Sequence, residues 1–241
     1  MYSNKAHISR QVATALLAGV SIFIIAILLP RFVISGTVPR LMTTHGLELI
    51  LSVLAIAILG RGRFAEYGFC LPRGGHRWLL VAVWAPLLGI VATIGVLGLG
   101  GAGNPVAKSL SFPQIILFIW ISSSIIEEVF TRGFLQGHLS GLSGKYVKLL
   151  FWRVEWPVLI SAAFFGCMHL VLLVSGADAI TTTVTVLFTF SLGLMAGYIR
   201  SLTGSLVPAI VVHFLANVGG LIGGIIYTII CILTGGSPPG M

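Results

Sequence analysis

The chain has 241 residues, of which 57% are hydrophobic and only 8% charged, against about 45–50% and about 25% in ordinary soluble domains. Uncharged stretches recur along the whole length, and each can cross a hydrocarbon core about 30 Å thick with about 20 helical residues. A water-soluble globule is excluded, and so is an outer-membrane barrel, because nothing alternates with period two over segments of about 10 residues. The net charge of +8 is scattered over short loops with no basic stripe or run, which fits membrane topology and argues against nucleic acid. Cys70, Cys167 and Cys231 lie far apart and offer neither a disulfide framework nor a Cys-x-x-Cys metal motif. The expected class is an all-α polytopic transmembrane helical bundle.

In chain order, Gln11 to Pro30 carries no charge and forms the first span; it lacks a small-residue cleavage pattern and reads as a retained helix. Leu41 to Gly60 is the second, with His45 and Glu48 near one end where they can reach the interface. Trp78 to about Gly100 is the third. The fourth follows Ser111, an N-cap with Pro113 in the first turn, and runs through Glu127 and Glu128 towards His138. Trp156 to about Leu173 and Ala179 to Ile199 are the fifth and sixth. After Arg200 come 41 residues without Asp, Glu, Lys or Arg. A break near Asn217 to Gly220 divides them into a short seventh span from about Leu206 and an eighth from Leu221 to Leu233. About eight spans result. Seven is the alternative, since glycine is tolerated inside membrane helices. The Gly/Pro-rich tail from Gly235 to Met241 is expected to be disordered. The corresponding division is 1–110 for generic N-terminal helices, 111–220 for a catalytic core, and 221–241 for the last helix and tail.

Lys and Arg are retained on the cytoplasmic side of a membrane. With the N-terminus inside, that side holds Lys5, Arg10, Arg61, Arg63, Arg73, Arg77, Lys145, Lys148, Arg153 and Arg200, leaving Arg31, Arg40 and Lys108 outside and Arg132 within a span. Ten against three sets the expected orientation. Trp78, Trp152 and Trp156 then act as anchors at the inner interface. Compact loops point to a multi-pass protein of a prokaryotic plasma membrane.

Ionisable groups inside a membrane cost about 2.5–3.5 kcal/mol each on insertion scales, so several together require pairing or function. Glu128 and Arg132 stand at i and i+4 in the order that favours an ion pair. Glu127 is rotated by about 100° and can face a different cavity. His213 and Asn217, also at i and i+4, present an imidazole and an amide side by side. A rise of about 1.5 Å per residue puts Glu127, His169 and His213 in one layer of the cytoplasmic half. Each residue alone has a structural reading: an ion pair that holds helices together, or an interhelical His or Asn. Gly193 and Gly197 fit close helix packing.

These residues resemble the CAAX protease and bacteriocin-processing family, the intramembrane glutamate endopeptidases that include the Ras-converting CAAX endopeptidase. Glu-Glu-x-x-x-Arg matches Glu127, Glu128 and Arg132, continuing as Gly133-Phe134-Leu135-Gln136. Phe-x-x-x-His matches Phe165 and His169, and His-x-x-x-Asn matches His213 and Asn217 after Gly204-Ser205-Leu206-Val207-Pro208-Ala209. The similarity covers about Pro113 to Asn217. The resemblance implies that Glu127 is a general base for water held by His169, that His213 and Asn217 stabilise the oxyanion, and that Glu128 and Arg132 set the electrostatics. A cavity open to the cytoplasm would supply water and admit a membrane-associated peptide or protein, with or without a lipid attached. No cofactor is expected. The alternative is zinc on Glu127, His169 and His213. A proton-coupled transporter and a non-catalytic scaffold are the other function classes that a polar pocket in a membrane allows.

Overall fold

The computed structural model describes residues 2–149 and 152–236, with side chains from residue 8 onward. The expected disorder of residues 237–241 and the side chains of Lys5 and His7 fall outside the described residues.

Among the described residues, seven helices are long and apolar enough to cross a membrane. They are α1 (Tyr2–Val33), α2 (Thr37–Leu59), α3 (Leu79–Gly98), α4 (Phe112–Gln136), α5 (Trp156–Val174), α6 (Ala179–Thr203) and α7 (Leu206–Leu233). Large aliphatic side chains such as Leu29, Leu80, Val91, Ile229 and Ile232 remain on the outside, which is the surface that lipid covers. α4 is the central helix. It packs against α2, α5, α6 and α7, and every residue from Val129 to Gln136 is buried.

The division into eight spans is corrected to seven. α7 runs without interruption through Asn217 to Gly220, so the boundary expected at residue 220 falls inside one helix. The glycines there serve packing instead. A Cβ on Gly219 would stand 2.1 Å from the Pro86 carbonyl oxygen, and one on Gly89 would stand 2.0 Å from that of Ala216. α3 and α7 therefore touch backbone to backbone, as small residues permit in membranes. Gly193 bears out the packing expected of it: a Cβ there would meet Ala162 at 2.9 Å and the Arg132 guanidinium at 2.8 Å.

α4 begins as expected, with Ser111 N donating to Gln114 Oε1 at 2.9 Å and Pro113 in the first turn. Its winding is less regular. Ile115–Ser122 and Val129–Gln136 follow the wider π pattern, and Ser123–Glu128 between them is α-helical. Wide turns of this kind are frequent at functional sites. The hydroxyls of Ser123 and Thr131 donate to the carbonyls four residues back, Ile119 and Glu127, answering backbone acceptors where the winding changes.

The links between successive helices fall alternately at the two ends of the bundle. One end gathers residues 60–78, 137–149, 152–155 and 204–205, including an unforeseen antiparallel strand pair, β1 (Tyr146–Leu149) with β2 (Trp152–Glu155). The other gathers residues 34–36, 99–111 and 175–178.

Candidate active site

The two adjacent acids on α4 have different surroundings. Glu128 and Arg132 are fully buried and paired, Oε1 to Nη1 at 3.2 Å. Arg132 also donates to Thr131 Oγ1, and its guanidinium lies 4.4 Å from the Phe165 ring centre. This cation is held by a carboxylate, a hydroxyl and an aromatic face, which a buried ion needs to offset its desolvation. Glu127 has no arginine or lysine partner among the described residues and retains 15% side-chain exposure.

His213 from α7 touches both acids. Its Nδ1 donates to Glu128 Oε1 at 3.0 Å, and its Nε2 lies 3.8 Å from Glu127 Oε2. One imidazole thus links the locked carboxylate to the available one. Asn217, a turn later, donates through Nδ2 to the Ile119 carbonyl at 3.0 Å and to Ser124 Oγ at 3.2 Å. On α5, His169 donates from Nδ1 to the Phe165 carbonyl at 2.8 Å. In the neutral ring that bond leaves the Nε2 lone pair free to accept. Phe165 meets the His169 and His213 rings edge-on at 5.1 and 5.6 Å. It is the common packing support of two imidazoles and a guanidinium, a role that the motif alone did not disclose.

Glu127, His169, His213 and Asn217 all line one cavity of about 690 Å³, within the usual range for a ligand pocket. Two further lining residues correct the expectation that they reach the interface. His45 and Glu48 on α2 are 9% and 4% exposed and face the same cavity. α2 starts at Thr37 rather than Leu41, which sets both residues about one turn, roughly 5–6 Å, deeper than expected.

The mouth requires a second correction. Thr37, Arg40 and Ser109 line the cavity at its exposed edge. Among the described residues, none that lines the cavity comes from 60–78, 137–149, 152–155 or 200–205, the segments that carry most of the basic residues. The cavity therefore opens at the end with few bases, not at the cytoplasmic face that the base count assigns. Its rim is latched by Asp178, which accepts from Thr181 N and Ala102 N, both at 2.8 Å, and from Thr181 Oγ1 at 2.6 Å. Those bonds, Thr181's first, hold the Asp178 carboxyl well below the usual carboxylate range. Among the described residues no three His, Cys, Asp or Glu side chains converge closely enough to hold a metal ion, so the zinc set Glu127, His169 and His213 is not assembled in this structure.

Residues 109–219 match the family model described as Type II CAAX prenyl endopeptidase Rce1-like. The chain carries an Rce1-like domain. No curated protein and no solved structure matches the chain. The matched segment, a little under half of the chain, holds Glu127, Glu128, Arg132, His169, His213 and Asn217. α1 and α2, with His45 and Glu48, lie outside it.

Proposed function

We propose that the chain is an intramembrane endopeptidase that hydrolyses a peptide bond of a membrane-associated peptide or protein, with Glu127 as the base that activates water. The observation that carries this reading is the unequal fate of the two acids. Glu128 is locked by Arg132 and His213, whereas Glu127 faces a cavity that His169, with a free acceptor nitrogen, also lines.

His169 Nε2 accepts one hydrogen of the water and Glu127 removes the other as the oxygen attacks the carbonyl carbon. His213, steadied through Nδ1 by Glu128, turns Nε2 towards the developing oxyanion and in its protonated form donates to it. Asn217 joins by exchanging its bond to Ser124 for one to the oxyanion, so part of its contribution arises only as charge develops. Arg132 neutralises Glu128 and acts by positioning. Collapse of the tetrahedral intermediate breaks the C–N bond, and the leaving nitrogen takes a proton. No step is routed through a metal.

The polypeptide enters from the end with few bases. With the N-terminus in the cytoplasm, as the distribution of Lys and Arg indicates, that entrance is extracytoplasmic, and the reacting groups lie beyond mid-membrane as seen from it.

The test uses the full chain in liposomes with internally quenched peptides ending in Cys-aliphatic-aliphatic-X, farnesylated and unmodified. Glu127→Ala should reduce cleavage by at least about 10²–10⁴-fold with thermal unfolding unchanged. Undiminished cleavage overturns the reading. Cleavage should also survive a chelator; loss that added zinc restores would establish a metal mechanism instead.

A further inference from the structure

Buried side-chain polar atoms without a hydrogen-bond partner occur, among the described residues, on His45, Glu48, Glu128, Arg132, Gln136 and Arg200. Only His45 and Glu48 of these line the cavity. The unpartnered atoms are His45 Nδ1 and Glu48 Oε1, three residues apart on one face of α2. Leaving a buried polar atom unmatched costs about 1–3 kcal/mol, so two such atoms on residues that line the cavity are a standing cost to the fold. α2 packs directly against the Ser123–Glu128 turn that carries Glu127, which brings this pair to the reacting layer.

Three acids thus share one region with three different environments. Glu128 has an arginine and a histidine, Glu127 has a histidine at 3.8 Å, and Glu48 has no ion partner among the described residues. A buried carboxyl without a counter-charge favours its neutral form, which carries a proton to give. Peptide hydrolysis needs such a donor. Asn217 and the Nδ1 atoms of His169 and His213 are already engaged, and an amide nitrogen leaves poorly unless it is protonated.

We infer that Glu48 is a catalytic residue, the general acid that protonates the leaving amine, with His45 beside it as a positioning residue. The inference rests on the endopeptidase reading above. Water loses a proton to Glu127 as its oxygen bonds to carbon. When the C–N bond breaks, its electron pair stays on nitrogen and takes the proton of Glu48. The Glu48 carboxylate then recovers a proton from Glu127 through the solvent in the cavity, so both acids return to their starting forms and the net change is addition of one water.

The test compares a quenched peptide containing a scissile amide with its matched ester, whose alkoxide departs with far less need of a proton. In liposome-reconstituted full chain, Glu48→Gln should lower kcat for the amide by at least about 10²-fold while the ester rate falls only a fewfold. An equal fall for both substrates marks a structural role and overturns the inference, as does an unchanged amide rate. If Glu48→Gln fails to fold, Glu48→Asp keeps the acid with a shorter reach, and the same amide-selective loss is required of it. Glu127→Ala should abolish both reactions; if it abolishes neither, the endopeptidase reading fails whatever Glu48 does. Loss in Glu127→Ala with an unaltered amide-to-ester ratio in Glu48→Gln sinks only the present inference.

Discussion

The two ends of the bundle use polar residues in opposite ways. At the basic end, side chains and loops close on one another. Tyr67 Oη lies 3.2 Å from His138 Nδ1, Gln11 donates to the His138 carbonyl at 2.6 Å, Arg200 to that of Glu66 at 2.7 Å, and Gln136 to that of Gly197 at 3.0 Å. Leu206 N and Arg73 N bond the carbonyls of Gly68 and Thr203, both at 2.9 Å, stitching the long second loop to the α6–α7 turn. The other end keeps a hollow that runs from exposed Ser109 to Glu127. Charge density and access are therefore separate properties: bases set which way the bundle sits, and packing sets where it opens.

Of the changes that set one end against the other, plugging the hollow should have the largest effect. With Cys70, Cys167 and Cys231 replaced by Ser, Ser109→Cys modified by a bulky maleimide should lose at least about 90% of peptide cleavage, because the pocket must admit a polypeptide. Ser140→Cys, exposed at the closed end, should keep its activity after the same treatment. Equal inhibition at the two positions would break the contrast between the ends. Impermeant reagent added to intact cells should reach Ser109→Cys and leave Ser140→Cys unmodified if the N-terminus is cytoplasmic.

Next in size is the ion pair between them. Arg132→Met strands the Glu128 carboxylate among buried neighbours and should cost about 3–5 kcal/mol, read as a large fall in Tm of the protein in detergent. A Tm unchanged within error would remove the pair from the list of things that hold α4 to α5 and α7.

Smallest is the rim latch. Asp178→Ala should lower Tm by a few degrees at neutral pH through loss of the cap on α6 and of the Ala102 contact. Asp178 is held below the ordinary carboxylate range, so its stabilisation is complete above the unfolded value of about 3.9 and is lost as pH falls towards the folded value. The Tm difference between Asp178→Ala and the parent should hold steady from pH 7 to 5 and shrink below about pH 4. A difference that instead grows on acidification would show that the carboxylate is not the stabilising form.

Much of the site is legible because helical spacing is local. Glu128 and Arg132 pair as their separation implies and Glu127 faces elsewhere; that Gly193 makes room for the Arg132 side chain was not legible, because it depends on α6 lying against α4. The pairing of His213 with Glu128 was not legible, since it depends on how closely α7 approaches α4. His45 and Glu48 looked interfacial because the start of α2 carries no strong cap: Gly36 precedes it with no side-chain bond, so a one-turn error in depth had nothing to oppose it. Gly219 and Gly220 looked like a break because glycine suits both a chain reversal and a close helix crossing. Only the Pro86 backbone on the facing helix distinguishes the two. Tyr146 to Glu155 mixes charged and aromatic residues in too short a run to announce its strand pair.

By itself the sequence determined the solvent of this protein, the helical class, the unequal share of bases between the two ends and the different facing of the neighbouring acids, because hydropathy, charge and helical period are properties of a few consecutive residues. Tertiary structure decided that α7 is one helix, that α2 contributes a buried acid to the cavity, and that the cavity opens away from the bases. Those outcomes depend on which backbones approach within contact distance and where they fail to, and no segment read alone contains the shape of the space it leaves.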